Sequence, residues 1–259
     1  MGTDRCAYAS RLRKTDPMPK LCLSAAAVAV CLCCGTAAVG VFTLLLLAGY
    51  SVALGGTRPG VLLRFFRVPM AFLVLGCITI LVERRPLGSD MLLALRVGES
   101  LWGLSSASLG RGIRIFCQAM GAISGMYFLA LSTPMTDLSA ALARLHLPRL
   151  FVELMELVYR FIFVLMEAME RIHTAQESRL GYVGFKRSME SAGTLCSMVF
   201  LRAWKKGDKV YSALESRGYT GNLTTLPAEY AAGTGLYALA AATAGLQLLV
   251  FWLGRGWMV

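Results

Sequence analysis

Two arginines, Arg179 and Arg217, sit in nearly the same phrase written twice: AQESRLGYVG from Ala175 to Gly184 and ALESRGYTG from Ala213 to Gly221. A guanidinium at the tip of a helix offers a planar fork of donors to a carboxylate. The small Ala175 and Ala213, one turn earlier, let such a tip enter a narrow groove. Aligned, the endings share Ala175/Ala213, Glu177/Glu215, Ser178/Ser216, Arg179/Arg217, Gly181/Gly218, Tyr182/Tyr219 and Gly184/Gly221, with Leu180 as one extra residue in the first. Ordinary helix capping accounts for the basic residue, which meets the negative end of the dipole, and for the glycine, which takes the left-handed position. It does not account for shared Ala, Glu, Ser and Tyr. Two equivalent tips imply a partner with two equivalent grooves, lined by acids, and hence a dimer.

Other chemistry is hard to build from this chain. Of the eight cysteines, Cys22, Cys31, Cys33, Cys34, Cys77 and Cys117 lie in apolar runs, where cysteine acts as a small hydrophobe. On a helix Cys31, Cys33 and Cys34 do not share one face, and the two histidines, His146 and His173, are far along the chain, so no metal site is expected. No Gly-x-x-x-x-Gly-Lys-Ser/Thr loop occurs, which excludes ATP hydrolysis by the chain itself. No serine, histidine and acid triad or paired carboxylates are recognisable, and no catalytic or cofactor-binding residue is expected. Tyr159, Arg160, Trp204 and Tyr211 read as packing and surface residues.

The elements that must carry the tips follow from composition. With 56% hydrophobic and 16% charged residues the chain is too apolar for a soluble domain, where charged residues make up about a quarter. No Asp, Glu, Lys or Arg occurs in residues 21–57, 68–82, 115–136 or 230–254. The first run holds a hairpin of two short spans turning near Gly35 to Gly40; the others hold one span each, giving about five, or six, membrane-spanning helices. The five basic residues Arg5, Arg11, Arg13, Lys14 and Lys20, with Arg58, Arg64 and Arg67, place the N-terminus and the next polar loop in the cytoplasm. Residues 135–229 then fall in the cytoplasm too, while Arg84 and Arg85 fall outside. The net charge of +11 is spread over these loops and reflects membrane orientation rather than nucleic-acid binding.

From Met135 the pattern changes to amphipathic helices. In STPMTDL, residues 132–138, Pro134 breaks one helix and Thr136 or Asp137 caps the next, which runs to about His146. Pro148 suits the first turn of a helix over roughly Arg149 to Ser178, on the order of 45 Å long, with an apolar seam of Phe151, Leu154, Val158, Phe161, Leu165, Ala168 and Ile172. Glu156/Arg160 and Glu167/Arg171 are i,i+4 pairs on its other faces. A second amphipathic helix, about Ser188 to Arg217, carries Ala192, Cys196, Val199, Ala203, Val210 and Leu214, and the two seams are expected to pack together and against the membrane. A last span runs roughly from Ala231 to Leu253. The expected division is 1–134 membrane helices, 135–229 cytoplasmic helices and 230–259 a C-terminal span, an all-α polytopic membrane protein.

The paired arginine endings resemble the signatures of the transmembrane T component of energy-coupling factor transporters. TDPMPKL (Thr15 to Leu21), LSTPMTDLSAALARLHLPRL and VYRFIFVLMEAMERI are similar to that family's opening and coupling helices, and LRAWKKGDKVYSALESRGYTG to its cobalt and nickel, CbiQ-like branch. The resemblance implies a multi-pass subunit of a bacterial or archaeal cell membrane in which Ala175, Glu177, Ser178, Arg179, Ala213, Glu215, Ser216, Arg217 and Gly218 meet a dimer of cytoplasmic ATP-binding subunits. It also implies that a separate membrane subunit captures the substrate, cobalt or nickel ions, the vitamin branch being the alternative. Leu180 departs from the family's Arg-Gly order, and Gly181 is expected to take over the capping role. The rival readings are an autonomous membrane enzyme or channel, disfavoured by spans without intramembrane charges, and a scaffold for unrelated partners.

Overall fold

The computed structural model describes residues 2–81, 83–86, 93–97, 100–104, 106–145, 147–219 and 230–255. His146 and Gly221, named above from the sequence, lie outside them. The contacts divide the chain into two units, Met1–Leu138 with Glu229–Val259, and Ser139–Ala228.

The first unit opens with a short helix, α1 (Gly2–Ala9), and a tight turn of 3-10 helix over Arg11–Lys14. Asp16 caps α2 (Pro17–Cys34), its side chain accepting the Met18 N–H, and two prolines in the first turn leave no donor wasted. Gly35, left-handed at φ 57°, ends α2, and Thr36 starts α3 (Ala37–Ala53). This is the hairpin expected in the first charge-free run. α4 (Pro59–Leu81), α5 (Ser106–Ser132) and α9 (Thr234–Arg255) carry the other three runs. Among the described residues four helices are long and apolar enough to cross a membrane, those within α2, α4, α5 and α9, and α3 is a shorter apolar helix.

Helix α5 is the axis of this unit: α1, α2, α3 and α4 all pack on it, and α9 packs on α2 and α3. The α3/α5 contact is close because glycines face it. A Cβ on Gly40 would stand 2.5 Å from the carbonyl oxygen of Cys117, and one on Gly121 would stand 2.7 Å from that of Gly40. Lipid offers no hydrophobic drive between helices, so small residues that let backbones meet supply the contact instead. Leu23, Ala27, Leu47 and Phe128 form the core below it. The outward surface remains apolar: Val68, Phe72 and Leu63 of α4 are more than two-thirds exposed, the pattern of a lipid-facing helix.

Two corrections and one addition arise here. The spans are not free of charge, because the helices begin before the charge-free runs: α2 contains Lys20, α4 Arg64 and Arg67, and α5 Arg111 and Arg114. Thr136 and Asp137 do not cap α6 (Met135–Arg144); they lie in its first turn, and the Pro134 carbonyl accepts the Asp137 and Leu138 amides. Arg84 and Arg85 lie in a strand, β1 (Glu83–Pro86), of a small antiparallel sheet with β2 (Leu93–Val97) and β3 (Ser100–Leu104), ordered β1-β3-β2.

The second unit is built on α7 (Arg149–Glu177) and α8 (Phe185–Glu215). Pro148 stands one place before the first turn, as the N-cap of α7. The buried Ser139 of α6 donates its hydroxyl to Glu156 Oε1 at 3.0 Å, tying α6 to α7.

Candidate functional site

Helices α7 and α8 run antiparallel. Near one end Gln176 Nε2 donates to the Ser191 carbonyl at 3.1 Å, and near the other the first three turns of α7 and the last turns of α8 line a shared groove of about 310 Å³. Leu150, Leu154, Leu157 and Phe161 face Val210, Tyr211, Leu214 and Tyr219 across it, with Gly207 keeping one wall low. The two arginine tips therefore stand at opposite ends of the pair. α7 has 29 residues, so the separation is roughly 40 Å at about 1.5 Å per residue.

The two tips share a backbone hydrogen-bond pattern. Ser178 N–H donates to Thr174 and Ser216 N–H to Ser212; Arg179 N–H donates to Gln176 and Arg217 N–H to Leu214. Each motif serine also turns its hydroxyl back to the carbonyl four residues earlier, at 2.8 Å in both copies. That bond gives the serine a role that the sequence alone left open. The next residue, Leu180 or Gly218, donates to Glu177 or Glu215 and is left-handed, at φ 58° and 75°. The residue after that, Gly181 or Tyr219, closes the turn onto the carbonyl of Gln176 or Leu214.

Gly181 thus does not take over the capping role expected of it. Leu180 holds the left-handed position, and the inserted residue is absorbed one place later. Gly181 is a glycine for another reason: a Cβ there would lie 2.7 Å from Ser191 Oγ and 2.9 Å from the Gln176 carbonyl oxygen. Ser191 donates that hydroxyl to the Gly181 carbonyl at 2.8 Å, so the turn is seated directly on α8. Tyr182 completes the seat, donating to Gln176 Oε1 at 2.8 Å and stacking on His173 at 4.6 Å. The parts played here by Gln176 and Ser191, and the stacking of His173 on Tyr182, are not evident from the sequence because these residues fall where the two copies differ or outside the repeat.

Ala175, Glu177, Ser178, Arg179, Ala213, Glu215, Ser216, Arg217 and Gly218 are all exposed. Among the described residues no carboxylate of this chain forms an ion pair with Arg179 or Arg217, whereas Arg171 is held by Glu167 and His173 faces Glu177 at 3.9 Å. Each tip therefore presents an open guanidinium fork on a rigid, hydrogen-bonded turn. The seams are less closed than expected: Phe151, Leu154 and Val158 are about half exposed, and α8 contains no buried residue. Among the described residues no group of three or more His, Cys, Asp or Glu is placed to hold a metal ion. Cys31 is buried against α5, its thiol 3.8 Å from the Gln118 carbonyl oxygen, while Cys33 is exposed.

Comparison with known proteins bears on the whole of this architecture. The family CbiQ, described as cobalt transport protein, matches residues 12–226. The cobalt transport protein CbiQ of Salmonella typhimurium is 30% identical over 224 residues, 85% of this chain and 98% of that protein. The putative fused cobalt transport protein CbiMQ of Methanocorpusculum labreanum is 32% identical over 92% of this chain. An uncharacterized protein of Methanocaldococcus jannaschii is 42% identical over 115 residues. The chain spans about two fifths of the length of the last two relatives, 39% and 43%. A bundle of apolar helices long enough to cross a membrane and a family match over most of the sequence lead to one statement: this chain is a multi-pass membrane protein and belongs to the CbiQ cobalt transport protein family.

Proposed function

We propose that the chain is the transmembrane coupling subunit of an ATP-driven importer of the energy-coupling factor type, with cobalt or nickel ions as substrate. The observation that supports this most is the repeated tip: two helix ends with one hydrogen-bond pattern, each exposing an arginine that pairs with no carboxylate among the described residues. Arg179 and Arg217 dock into acidic grooves on two cytoplasmic ATP-binding subunits, and the neighbouring Ala175 and Ala213 let each tip enter. Separation of the tips by most of a helix length suits two subunits of a dimer rather than one.

In this reading residues 1–134 and 230–259 lie in the membrane and 135–229 in the cytoplasm, with the N-terminus on the same side, as the basic residues flanking α2 and α4 favour. ATP is hydrolysed by the partners, because this chain has no phosphate-binding loop. Closing of the ATPase dimer moves its two grooves together, the tips follow, and α7 and α8 carry the motion to a membrane subunit that captures the ion.

Co-expression with a pair of nucleotide-binding subunits tests the proposal. The wild-type chain should give a complex stable in detergent, and Arg217→Glu should disrupt it without affecting membrane insertion. Retention of the complex by the Arg179→Glu, Arg217→Glu double variant would overturn the reading. Measuring which metal accumulates in cells expressing the full set of subunits assigns the substrate.

A further inference from the structure

Lys20 is fully buried, one turn into a helix otherwise apolar, and its Nζ has no hydrogen-bond partner among the described residues. A buried cation in such a helix is costly and marks a functional point. Two acids belong to the segments that meet near the start of α2: Asp16, its N-cap, and Asp137, in the first turn of α6. Asp137 in turn accepts the Tyr230 hydroxyl at 3.2 Å. Directly beyond Tyr230 the backbone bridges to the segment before α2: Ala231 N–H donates to the Lys14 carbonyl at 2.8 Å and Asp16 N–H to the Ala231 carbonyl at 3.2 Å. Pro19 presses on the same segment, where a Cβ on Gly233 would stand 2.8 Å from its ring.

The place of these residues along the chain gives the cluster its meaning. Residues 139–228 leave the membrane unit after Leu138 and rejoin it at Glu229. Asp137 and Tyr230 flank those two connections, one residue inside each, and they are bonded to each other. We propose that Asp137 and Tyr230, together with the backbone bridge from Ala231 to Lys14 and Asp16, form a half-buried clasp that fixes both chain exits of the membrane bundle to the start of α2. They are positioning residues for the coupling reading above, on which this use of the clasp rests. With the exits pinned together, displacement of the coupling helices is delivered to α2 and α9 at once instead of being absorbed in two loose connections.

The clasp is tested on the full chain alone, in detergent, by amide hydrogen exchange over residues 14–16 and 230–233. Asp137→Asn removes the charge, Tyr230→Phe removes the hydroxyl, and Asp137→Glu keeps the charge. The first two should raise exchange at the Asp16 and Ala231 amides about tenfold, with protection of the α3/α5 contact unchanged and the glutamate variant closer to wild type. Unchanged exchange in both Asp137→Asn and Tyr230→Phe would overturn the clasp. In the assembled transporter, ion uptake per ATP hydrolysed should fall several-fold in Tyr230→Phe while the complex and its ATP hydrolysis persist. Undiminished uptake per ATP would overturn the positioning role. Failure of the wild-type chain to bind ATPase subunits would overturn the coupling reading instead, a result separable from the exchange measurement.

Discussion

Leu180 and Gly218 occupy the same backbone position in two different helix ends. Each follows the arginine directly, each donates to the glutamate three residues earlier, and each is left-handed, at φ 58° and 75°. An L-residue with a side chain is strained there by about 1 to 2 kcal/mol, and glycine is not.

Leu180→Gly should therefore hold or raise the stability of the first tip, by up to about 1 kcal/mol once the extra freedom of glycine in the unfolded chain is subtracted. Leu180→Val should lower it by about 1 kcal/mol, since a β-branched residue tolerates this conformation worse than leucine. Exchange of the Gly181 amide, which closes the turn onto Gln176, reports both changes.

Gly181→Ala and Gly218→Ala separate the two jobs that glycine does at these ends. At Gly218 nothing stands within 4 Å of an added Cβ, so only the left-handed backbone is penalised, by about 1 kcal/mol. At Gly181 the methyl group collides with Ser191 Oγ and the Gln176 carbonyl oxygen, and the turn must lift off α8. A cost of about 1 to 3 kcal/mol is expected. Fluorescence or cross-linking between residues placed at 182 and 191 would show the seat opening in the second case and not in the first tip of the Gly218 variant.

Arg217→Lys keeps the charge and loses the fork. If the tip meets a carboxylate in two-pronged fashion, affinity for the ATP-binding subunits should drop roughly tenfold to a hundredfold, the worth of one charge-assisted hydrogen bond. Equal affinity of lysine and arginine variants in a titration against the ATPase dimer would mean that charge alone is read. Arg171, already engaged by Glu167, serves as the control position.

Gly121→Val should destabilise the membrane bundle severely, by about 3 kcal/mol or more, because the new atoms would meet backbone of α3 that has nowhere to move. Gly49→Val, with open space around its Cβ position, should be close to neutral. Gln247→Leu lies between them. Gln247 Nε2 donates to the Ala27 carbonyl at 3.1 Å and to Thr43 Oγ1 at 2.7 Å, but its Oε1 has no partner, so the loss should stay below about 2 kcal/mol. Thermal unfolding in one detergent ranks the three.

The amino-acid order alone was enough for the membrane class, the hairpin turning at Gly35, the long amphipathic helices and the duplicated arginine ending. Each of these is written locally, as hydropathy over a span length, as a three-and-four rhythm, or as a repeated phrase. Where the helices begin was not legible from charge-free runs, because Lys20 lies in the first turn of α2 and Arg111 and Arg114 in the second and third turns of α5. The Gly121-x-x-x-Gly125 spacing on α5 is a signal of close helix contact, but naming Gly40 of α3 and Val28 of α2 as what it touches requires the folded bundle.

What the tertiary structure decided is the relation between positions distant in the chain. A hydrogen-bond ladder, not sequence alignment, assigned the left-handed residue to Leu180 and freed Gly181 to rest on Ser191. The same holds for Lys20, which reads as one more cytoplasmic basic residue until folding removes it from solvent, and for Asp137, which folding brings to the Tyr230 hydroxyl, 93 residues later. Periodicity fixes which side of a helix is apolar; only packing, which brings remote surfaces to van der Waals distance and strips their water, fixes which group answers which.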